Sequence, residues 1–201
     1  MAIAMNDKVL IEAFGSTEGR MRLAKQAVLV LVGIAALAIF AKIKVPMFPS
    51  PVPITLGTFA VLTIGVSYGP RLGLATIFGY MLVGALGFDV FASSSASANG
   101  LEYMLGGTGG YLVGYVLAVA YLGWAARRGM DRTIEGMAGA MLVANVLIYV
   151  PGVFWLHQFT TGLEQTMAWG LTPYVIGDLM KLALAALLVP SIWKLISKTR
   201  G

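Results

Sequence analysis

Successive long apolar runs, joined by short polar or glycine- and proline-containing connections, constrain the fold of this chain more than any other feature. A run of about 20 apolar residues has the length needed to cross a bilayer as an α-helix. Spanning β-strands would instead alternate apolar and polar residues, and these runs do not alternate. The sequence therefore predicts an all-α membrane protein with six transmembrane helices. The predicted spans are residues 23–43, 54–68, 71–87, 106–127, 136–157 and 171–196.

Composition supports a membrane protein. Hydrophobic residues make up 58% of the chain and charged residues only 11%, whereas soluble domains usually carry roughly 25% charged residues. The first 22 residues are mixed in charge and lack the apolar segment and cleavage site of a signal peptide. We therefore predict a cytoplasmic N-terminal tail, residues 1–22, followed by one transmembrane domain, residues 23–201.

The distribution of basic residues predicts the orientation in the membrane. With the N-terminus inside, only Lys42 and Lys44 of the 14 Lys and Arg residues fall in outer segments, and Lys181 lies within the last span. Cytoplasmic loops of membrane proteins are enriched in Lys and Arg. Both termini are therefore predicted to be cytoplasmic. The net charge of +5 is explained by this topology, so that no nucleic-acid partner is predicted.

Two ionisable residues, Asp178 and Lys181, interrupt the last apolar run. Residues three apart on a helix lie on one face, so the two side chains can pair with each other or bind one ligand together. A charged group at membrane depth is costly and by default marks a functional site that faces the protein interior. The alternative is a structural ion pair that holds two helices in register. In the predicted orientation the pair lies near the outer surface, which suits a capture site.

Further candidate residues lie in or beside two connections on the predicted outer side. Residues 44–58 contain four prolines and cannot form a helix, so they either cap the outer surface or fold into a pocket. Thr55 and Thr58 in this segment can offer hydroxyls to a ligand, although Thr55 can equally cap a helix. The serine-rich connection 88–108, which includes Asn99, is either a lid over a binding site or a plain solvent loop.

Three residues within the spans are also candidates for ligand contact. Tyr80 and Tyr111 can pack against an apolar ring, although for Tyr80 a core contact is at least as good an explanation. Asn145 is a buried amide that must find partners, either on a neighbouring helix or on a ligand. Gly110 and Gly114 form a GxxxG pair suited to close helix packing.

Small residues recur in the first span at Ala35, Ala38 and Ala41. In lipid, where packing drives helix association, such a row lets a partner helix approach closely. These alanines are therefore predicted to contact a partner protein, although the alternative is that alanine is simply common in membrane spans.

The chain lacks the motifs of the common catalytic and metal-binding sites. It has no cysteine, a single histidine, no HExxH and no GxSxG motif. The glycine run 106–114 is followed by no Lys-Ser or Lys-Thr pair, so it is not an ATP-binding P-loop. We predict no enzymatic activity, no metal site and no cofactor.

Five short motifs occur in a fixed order along the chain, at 50–62 (SPVPITLGTFAVL), 68–73 (YGPRLG), 84–91 (GALGFDVF), 106–114 (GGTGGYLVG) and 177–181 (GDLMK). Together they resemble the BioY family, the biotin-specific substrate-binding (S) components of energy-coupling-factor (ECF) transporters. The resemblance covers nearly the whole chain beyond the N-terminal tail.

This resemblance implies the ECF S-component fold, a biotin pocket near the outer face, and a place in the cytoplasmic membrane of a prokaryote. It implies as partners biotin, membrane lipid, a transmembrane coupling subunit and ATP-binding-cassette ATPases; whether two copies form a homodimer is left open. Carried over by residue, the family pattern assigns ligand contacts to Asp178, Lys181, Tyr111, Thr55, Thr58 and Asn99. The serine-rich loop stands where some relatives carry an arginine, so the partner of the biotin carboxylate is left open.

Biotin has a polar ureido head, an apolar bicycle and a carboxylate. Asp178 can accept the ureido N–H groups, and Lys181 can hold Asp178 ionised while donating to the ureido oxygen or to a loop carbonyl. A hydrogen bond to a charged group contributes about 1.5–3 kcal/mol. Two rival functions are a stand-alone secondary carrier, with Asp178 and Lys181 as a proton relay, and an S component for another vitamin.

Overall fold

The structure is a computed structural model that describes residues 8–13, 19–45, 54–95 and 98–200. These residues form helices joined by short turns, with one two-stranded antiparallel ribbon in which Lys44 pairs with Thr55. The elements in chain order are α1 (Leu10–Ala13), α2 (Gly19–Lys42), β1 (Lys44–Val45), β2 (Ile54–Thr55), α3 (Gly57–Ala85), α4 (Gly100–Leu105), α5 (Gly109–Arg127), α6 (Ile134–Leu156), α7 (Leu163–Gly170) and α8 (Val175–Arg200). Single 3₁₀ turns, Met130–Arg132 and His157–Phe159, adjoin α6.

Five helical stretches of the described residues are long and apolar enough to cross a membrane. They are residues 19–42, 57–85, 109–127, 134–159 and 163–198. The prediction of an all-α, multi-pass membrane protein is therefore confirmed. The number of spans differs from the predicted six because most of both spans predicted at 54–68 and 71–87 belongs to the single helix α3.

A turn at Gly69–Pro70–Arg71, between these two predicted spans, explains this difference. Gly69 adopts φ +74° and ψ 178°, which is not helical, and a left-handed φ costs glycine little. A Cβ added to Gly73 would lie 3.7 Å from the Cα of Gly65, whereas residues eight apart in a straight helix are separated by about 12 Å. The chain thus folds back at Gly69, and α3 consists of two helical halves packed against each other.

Glycines set the close packing of α5 against its neighbours. A Cβ on Gly110 would meet the carbonyl oxygen of Pro151 at 2.3 Å, and one on Gly114 would meet the Cα of Ile148 at 2.6 Å. The GxxxG prediction is therefore confirmed, with α6 as the partner helix. On the other side, a Cβ on Gly123 would lie 2.3 Å from the backbone nitrogen of Pro70, so α5 also packs against the turn of α3.

The helix ends define two ends of the bundle. At one end, here called the pocket end, α2 stops, α3 starts, α6 stops and α8 starts. At the other, here called the closed end, the turn of α3 meets the α5–α6 connection and the C-terminal part of α8. Buried apolar side chains fill the interior between them, among them Leu37, Val61, Ile77, Leu112, Leu122, Met141 and Ile148.

Residues 8–13, within the predicted N-terminal tail, pack on the closed end. Val9 is fully buried and contacts Gly69, whose added Cβ would lie 2.9 Å from the valine side chain. Glu12 forms an ion pair with Arg127 at 2.8 Å. Because residues 1–7 and 14–18 lie outside the described residues, the tail boundary at residue 22 stays a prediction, as does the proline segment at residues 46–53.

Candidate ligand-binding site

A cavity at the pocket end is enclosed by α2, α3, α5, α6, α8 and the connection between α3 and α5. Aromatic and apolar side chains form most of its wall, and a few polar groups converge on it, which is typical of a small-molecule site. The polar and aromatic residues in the wall are Thr55, Thr58, Tyr80, Phe91, Tyr103, Thr108, Tyr111, Tyr115, Tyr149, Tyr174, Asp178 and Lys181.

The predicted pair at the start of α8 borders this cavity. Lys181 Nζ lies 2.7 Å from Asp178 Oδ1, and the two side chains are only 11% and 7% exposed. The pair is formed as the three-residue spacing on a helix predicts. The pair faces the protein interior and borders the cavity, so that it does not contact a neighbouring helix alone, as a purely structural ion pair would.

Two threonines, Thr55 at the end of β2 and Thr58 at the start of α3, also bind this pair. Thr58 donates its hydroxyl to Asp178 Oδ1 at 3.2 Å and accepts from Lys181 Nζ at 2.9 Å. Lys181 also donates to the backbone carbonyl of Thr55 at 2.8 Å. The Thr55 hydroxyl accepts instead from the backbone N–H of Gly57 at 3.1 Å. Thr55 therefore caps the start of α3 with its side chain, the alternative noted above, and binds Lys181 with its carbonyl.

Tyr149 of α6 is a member of this cluster that sequence reasoning missed. Its hydroxyl donates to Asp178 Oδ2 at 2.5 Å, 29 residues away along the chain. The available signal was a tyrosine inside an apolar span, because a buried tyrosine hydroxyl usually finds a hydrogen-bond partner. Nothing in the sequence indicates that the partner is Asp178.

Tyr111 lies beside Tyr149 and is fixed at both ends. Its hydroxyl donates to the carbonyl of Gly170 at 2.7 Å, and a Cβ on Gly152 would lie only 2.4 Å from its ring. The rings of Tyr111 and Tyr149 meet edge to face with centroids 6.2 Å apart. The two glycines therefore make room for an aromatic wall next to Asp178.

The connection between α3 and α5 covers the cavity with Phe91. The Phe91 ring stacks on Tyr103 at 5.0 Å and meets Tyr80 edge to face at 5.3 Å. Tyr80 also donates to the carbonyl of Val90 at 3.0 Å. A Cβ on Gly84 would collide with the ring of Phe91, so this glycine provides the space that Phe91 occupies.

One side chain ties this covering connection to α2. Lys42 Nζ donates to Asp89 Oδ1 at 2.5 Å, and to the carbonyl and hydroxyl oxygens of Ser94 at 3.1 and 3.3 Å. Ser94 in turn donates to Asp89 at 2.7 Å. The hydrogen bonds from Lys42 and Ser94 lower the pKa of Asp89. The tie lies at the surface, with the Lys42 side chain 32% exposed.

The sequence comparison places these residues in a known family. Residues 9–198 match the BioY family. The chain belongs to the BioY family.

Two BioY proteins illustrate the similarity. A protein of Pyrococcus horikoshii named probable biotin transporter BioY is 34% identical over 165 residues, covering 82% of this chain and 94% of its own. The biotin transporter BioY of Thermotoga maritima is 33% identical over 161 residues, covering 80% and 91%. The resemblance to BioY predicted from the five motifs is therefore confirmed.

A solved structure has the same fold as this BioY family member. It is described as the S-component for biotin from an ECF-type ABC transporter, and it matches with a TM-score of 0.75 over 89% of this chain and 95% of the solved chain. The sequence identity is 19%, so the match concerns the fold. The ECF S-component fold implied by the BioY motifs is the fold of this solved structure.

Two residues predicted from the BioY pattern or from burial do not line the cavity. Asn99 precedes α4 and donates to the carbonyl of Ser95 at 3.0 Å. Asn145 is buried on α6, one turn from Tyr149, and its Oδ1 has no hydrogen-bond partner among the described residues. Their part in ligand binding stays a prediction.

The three alanines of α2 face different surroundings in this BioY family member. Ala35 is exposed, Ala38 is half-buried and Ala41 is buried at the cavity wall. A step of three residues turns a helix by about 300°, so a row with this spacing rotates around the helix axis. Ala35 is at the surface, Ala38 packs in part against the core, and Ala41 contributes to the cavity wall, so a contact of these alanines with a partner stays a prediction.

Proposed function

We propose that this protein captures biotin as the membrane-embedded substrate-binding subunit of an ECF-type transporter. The observation that carries the proposal is the buried Asp178–Lys181 pair at the edge of an aromatic cavity. Membership of the BioY family supports it, as do the biotin transporters of Pyrococcus horikoshii and Thermotoga maritima among its relatives.

The cavity offers groups that suit each part of biotin. An ionised carboxylate such as Asp178 accepts hydrogen bonds strongly, and the ureido head of biotin carries two N–H donors. Tyr80, Phe91 and Tyr111 present ring faces and edges against which the apolar bicycle can pack. A cavity with mainly apolar walls and few polar groups lets those groups set the orientation of the ligand.

We further propose six crossings, with both halves of α3 within the membrane and both termini in the cytoplasm. The turn at Gly69 and the excess of Lys and Arg in the segments assigned to the cytoplasm support this topology. The pocket end then faces outward, and the closed end, with Arg127 and Arg132, faces the cytoplasm. Biotin would reach the cavity from outside.

The proposed protein partners are a transmembrane coupling subunit and cytoplasmic ATPases. α2 supports a partner contact, because it packs at the edge of the bundle and exposes large apolar side chains such as Leu31 and Ile39. Ala35→Leu or Ala38→Leu should impair co-purification with the coupling subunit and leave biotin binding intact. Normal co-purification of both variants would remove this surface from the contact.

Equilibrium binding of labelled biotin to the purified protein, in competition with thiamine and riboflavin, tests the proposed ligand. We expect biotin to compete and the other two vitamins not to. Stronger competition by thiamine or riboflavin would overturn the assignment of biotin. Uptake by liposomes that contain only this chain, driven by a proton gradient, would instead favour a stand-alone carrier.

A further inference from the structure

The hydrogen-bond partners within the cluster determine what kind of ligand group it can bind. Lys181 has three N–H donors, and all three are used, by Asp178 Oδ1, the Thr58 hydroxyl and the Thr55 carbonyl. The hydroxyl hydrogen of Thr58 is used by Asp178 Oδ1. The lysine therefore has no donor left for a ligand unless it gives up a bond within the protein.

Asp178 keeps one acceptor site. A carboxylate has about four lone-pair positions. Oδ1 accepts from both Lys181 and Thr58, and Oδ2 accepts from Tyr149. Among the described residues one lone pair, on Oδ2, has no partner. The cluster thus offers acceptors, and it suits an N–H donor rather than a carbonyl oxygen.

Tyr149 is the contact that fixes the direction of this lone pair. Lys181 and Thr58 both bind Oδ1 of Asp178 and therefore fix the position of that oxygen. They do not fix the rotation of the carboxylate about Oδ1, which sets the position of Oδ2. Among the described residues, the Tyr149 hydroxyl is the group that donates a hydrogen bond to Oδ2. It comes from a different helix, and its ring rests edge to face on Tyr111, which is itself fixed by Gly170.

We propose that Tyr149 is a positioning residue that selects a ureido N–H donor through Asp178. This inference rests on the proposed function. A tyrosine that merely joined α6 to α8 would support all ligands equally. A tyrosine that aims the free lone pair of Oδ2 supports a ligand with a ureido N–H and contributes little to one without it.

The experiment measures binding of biotin and of an analogue in which methyl groups replace the ureido hydrogens. Tyr149→Phe should weaken biotin binding about tenfold, which is about 1.4 kcal/mol, and change binding of the methylated analogue less than threefold. In an Asp178→Asn background, Tyr149→Phe should change biotin binding less than twofold. Tyr121→Phe, a tyrosine on α5 that packs beside Trp124, is the matched control and should bind both ligands as the wild type does.

Equal losses for both ligands, or an undiminished loss in the Asp178→Asn background, would overturn the positioning role. Thermal unfolding without ligand checks that each variant is folded, and Tyr149→Met replaces Tyr149→Phe if the latter does not purify as a folded protein. A wild-type protein that binds no biotin would overturn the proposed function instead. Wild-type binding with unchanged selectivity in Tyr149→Phe would overturn this inference alone.

Discussion

Two buried aspartates, one at each end of the bundle, have nearly the same kinds of partner. At the pocket end, Asp178 binds Lys181 and the hydroxyl of Tyr149. At the closed end, Asp131 accepts from Arg132 Nε at 3.1 Å and from the indole N–H of Trp193 at 2.6 Å. Each cluster joins an acid, a base and an aromatic donor from a second helix.

The clusters differ in what lies beside them. Asp178 borders a cavity, whereas the side chain of Asp131 is fully buried and Arg132 stacks on the ring of Trp193 at 3.3 Å. Arg132 also binds the carbonyl of Lys8 at 2.6 Å. Of these two clusters, the one at the pocket end borders the cavity, which supports the proposed ligand site there. At the closed end the same kinds of group hold chain segments together.

The sharpest test of this difference is Asp178→Asn, which we expect to weaken biotin binding tenfold or more, at least about 1.4 kcal/mol. The substitution removes the charge that strengthens the bond to a ligand donor, while the protein still inserts and purifies as a single species. Equilibrium binding of labelled biotin provides the measurement. Asp131→Asn is the matched control, and an equal loss of affinity in both variants would contradict the comparison.

Asp131→Asn should instead lower the stability of the folded protein by about 1–2 kcal/mol. Arg132 and Trp193 donate to different oxygens of Asp131, and in the amide an NH₂ group replaces one of these oxygens, so that one donor loses its acceptor. Thermal unfolding in detergent at a fixed pH measures this loss. A variant as stable as the wild type would show that the closed end does not depend on this carboxylate.

The pH dependence of that loss has a defined sign. Burial raises the pKa of Asp131, although the bonds from Trp193 and Arg132 oppose the shift. The folded protein then holds this proton more tightly than the unfolded chain, so the wild type gains stability as the pH falls through the folded pKa towards about 3.9. The Asn variant lacks this gain, so the stability difference should widen at low pH; a difference that narrows would contradict the assignment.

The sequence predicts the Asp178–Lys181 pair because both residues lie on one helix, three positions apart, in an apolar run. The closed-end cluster could not be predicted in this way. Trp193 lies 62 residues from Asp131 along the chain, and Arg132 is one of several basic residues in a polar connection. The same limit applies to Tyr149, since contacts between helices depend on how the helices pack and not on spacing along the chain.

The all-α, multi-pass class was predictable from the length of the apolar runs, and a turn at Gly69 from the Gly-Pro pair. The different surroundings of Ala35, Ala38 and Ala41 could not be predicted, because a sequence pattern does not tell which face of α2 meets α3. Phe91 is a comparable case at the site. Its place in the cavity wall depends on Gly84, whose lack of a side chain leaves room for the ring, and neither residue has a local pattern that indicates the contact.

The smallest expected effect concerns the surface tie over the cavity. Lys42→Gln removes the ion pair to Asp89 and weakens the bonds to Ser94. Since exposed ion pairs contribute about 0.2–1 kcal/mol, we expect biotin to dissociate about two- to fivefold faster, with no loss of stability of the kind expected for Asp131→Asn. Stopped-flow displacement of labelled biotin measures the rate.

Lys44→Gln, which removes an equal charge from an exposed position two residues away, is the matched control. If both variants released biotin at the same raised rate, general surface charge and not the tie to Asp89 would govern release, and the pocket end would owe its cover to the packing of Phe91 alone.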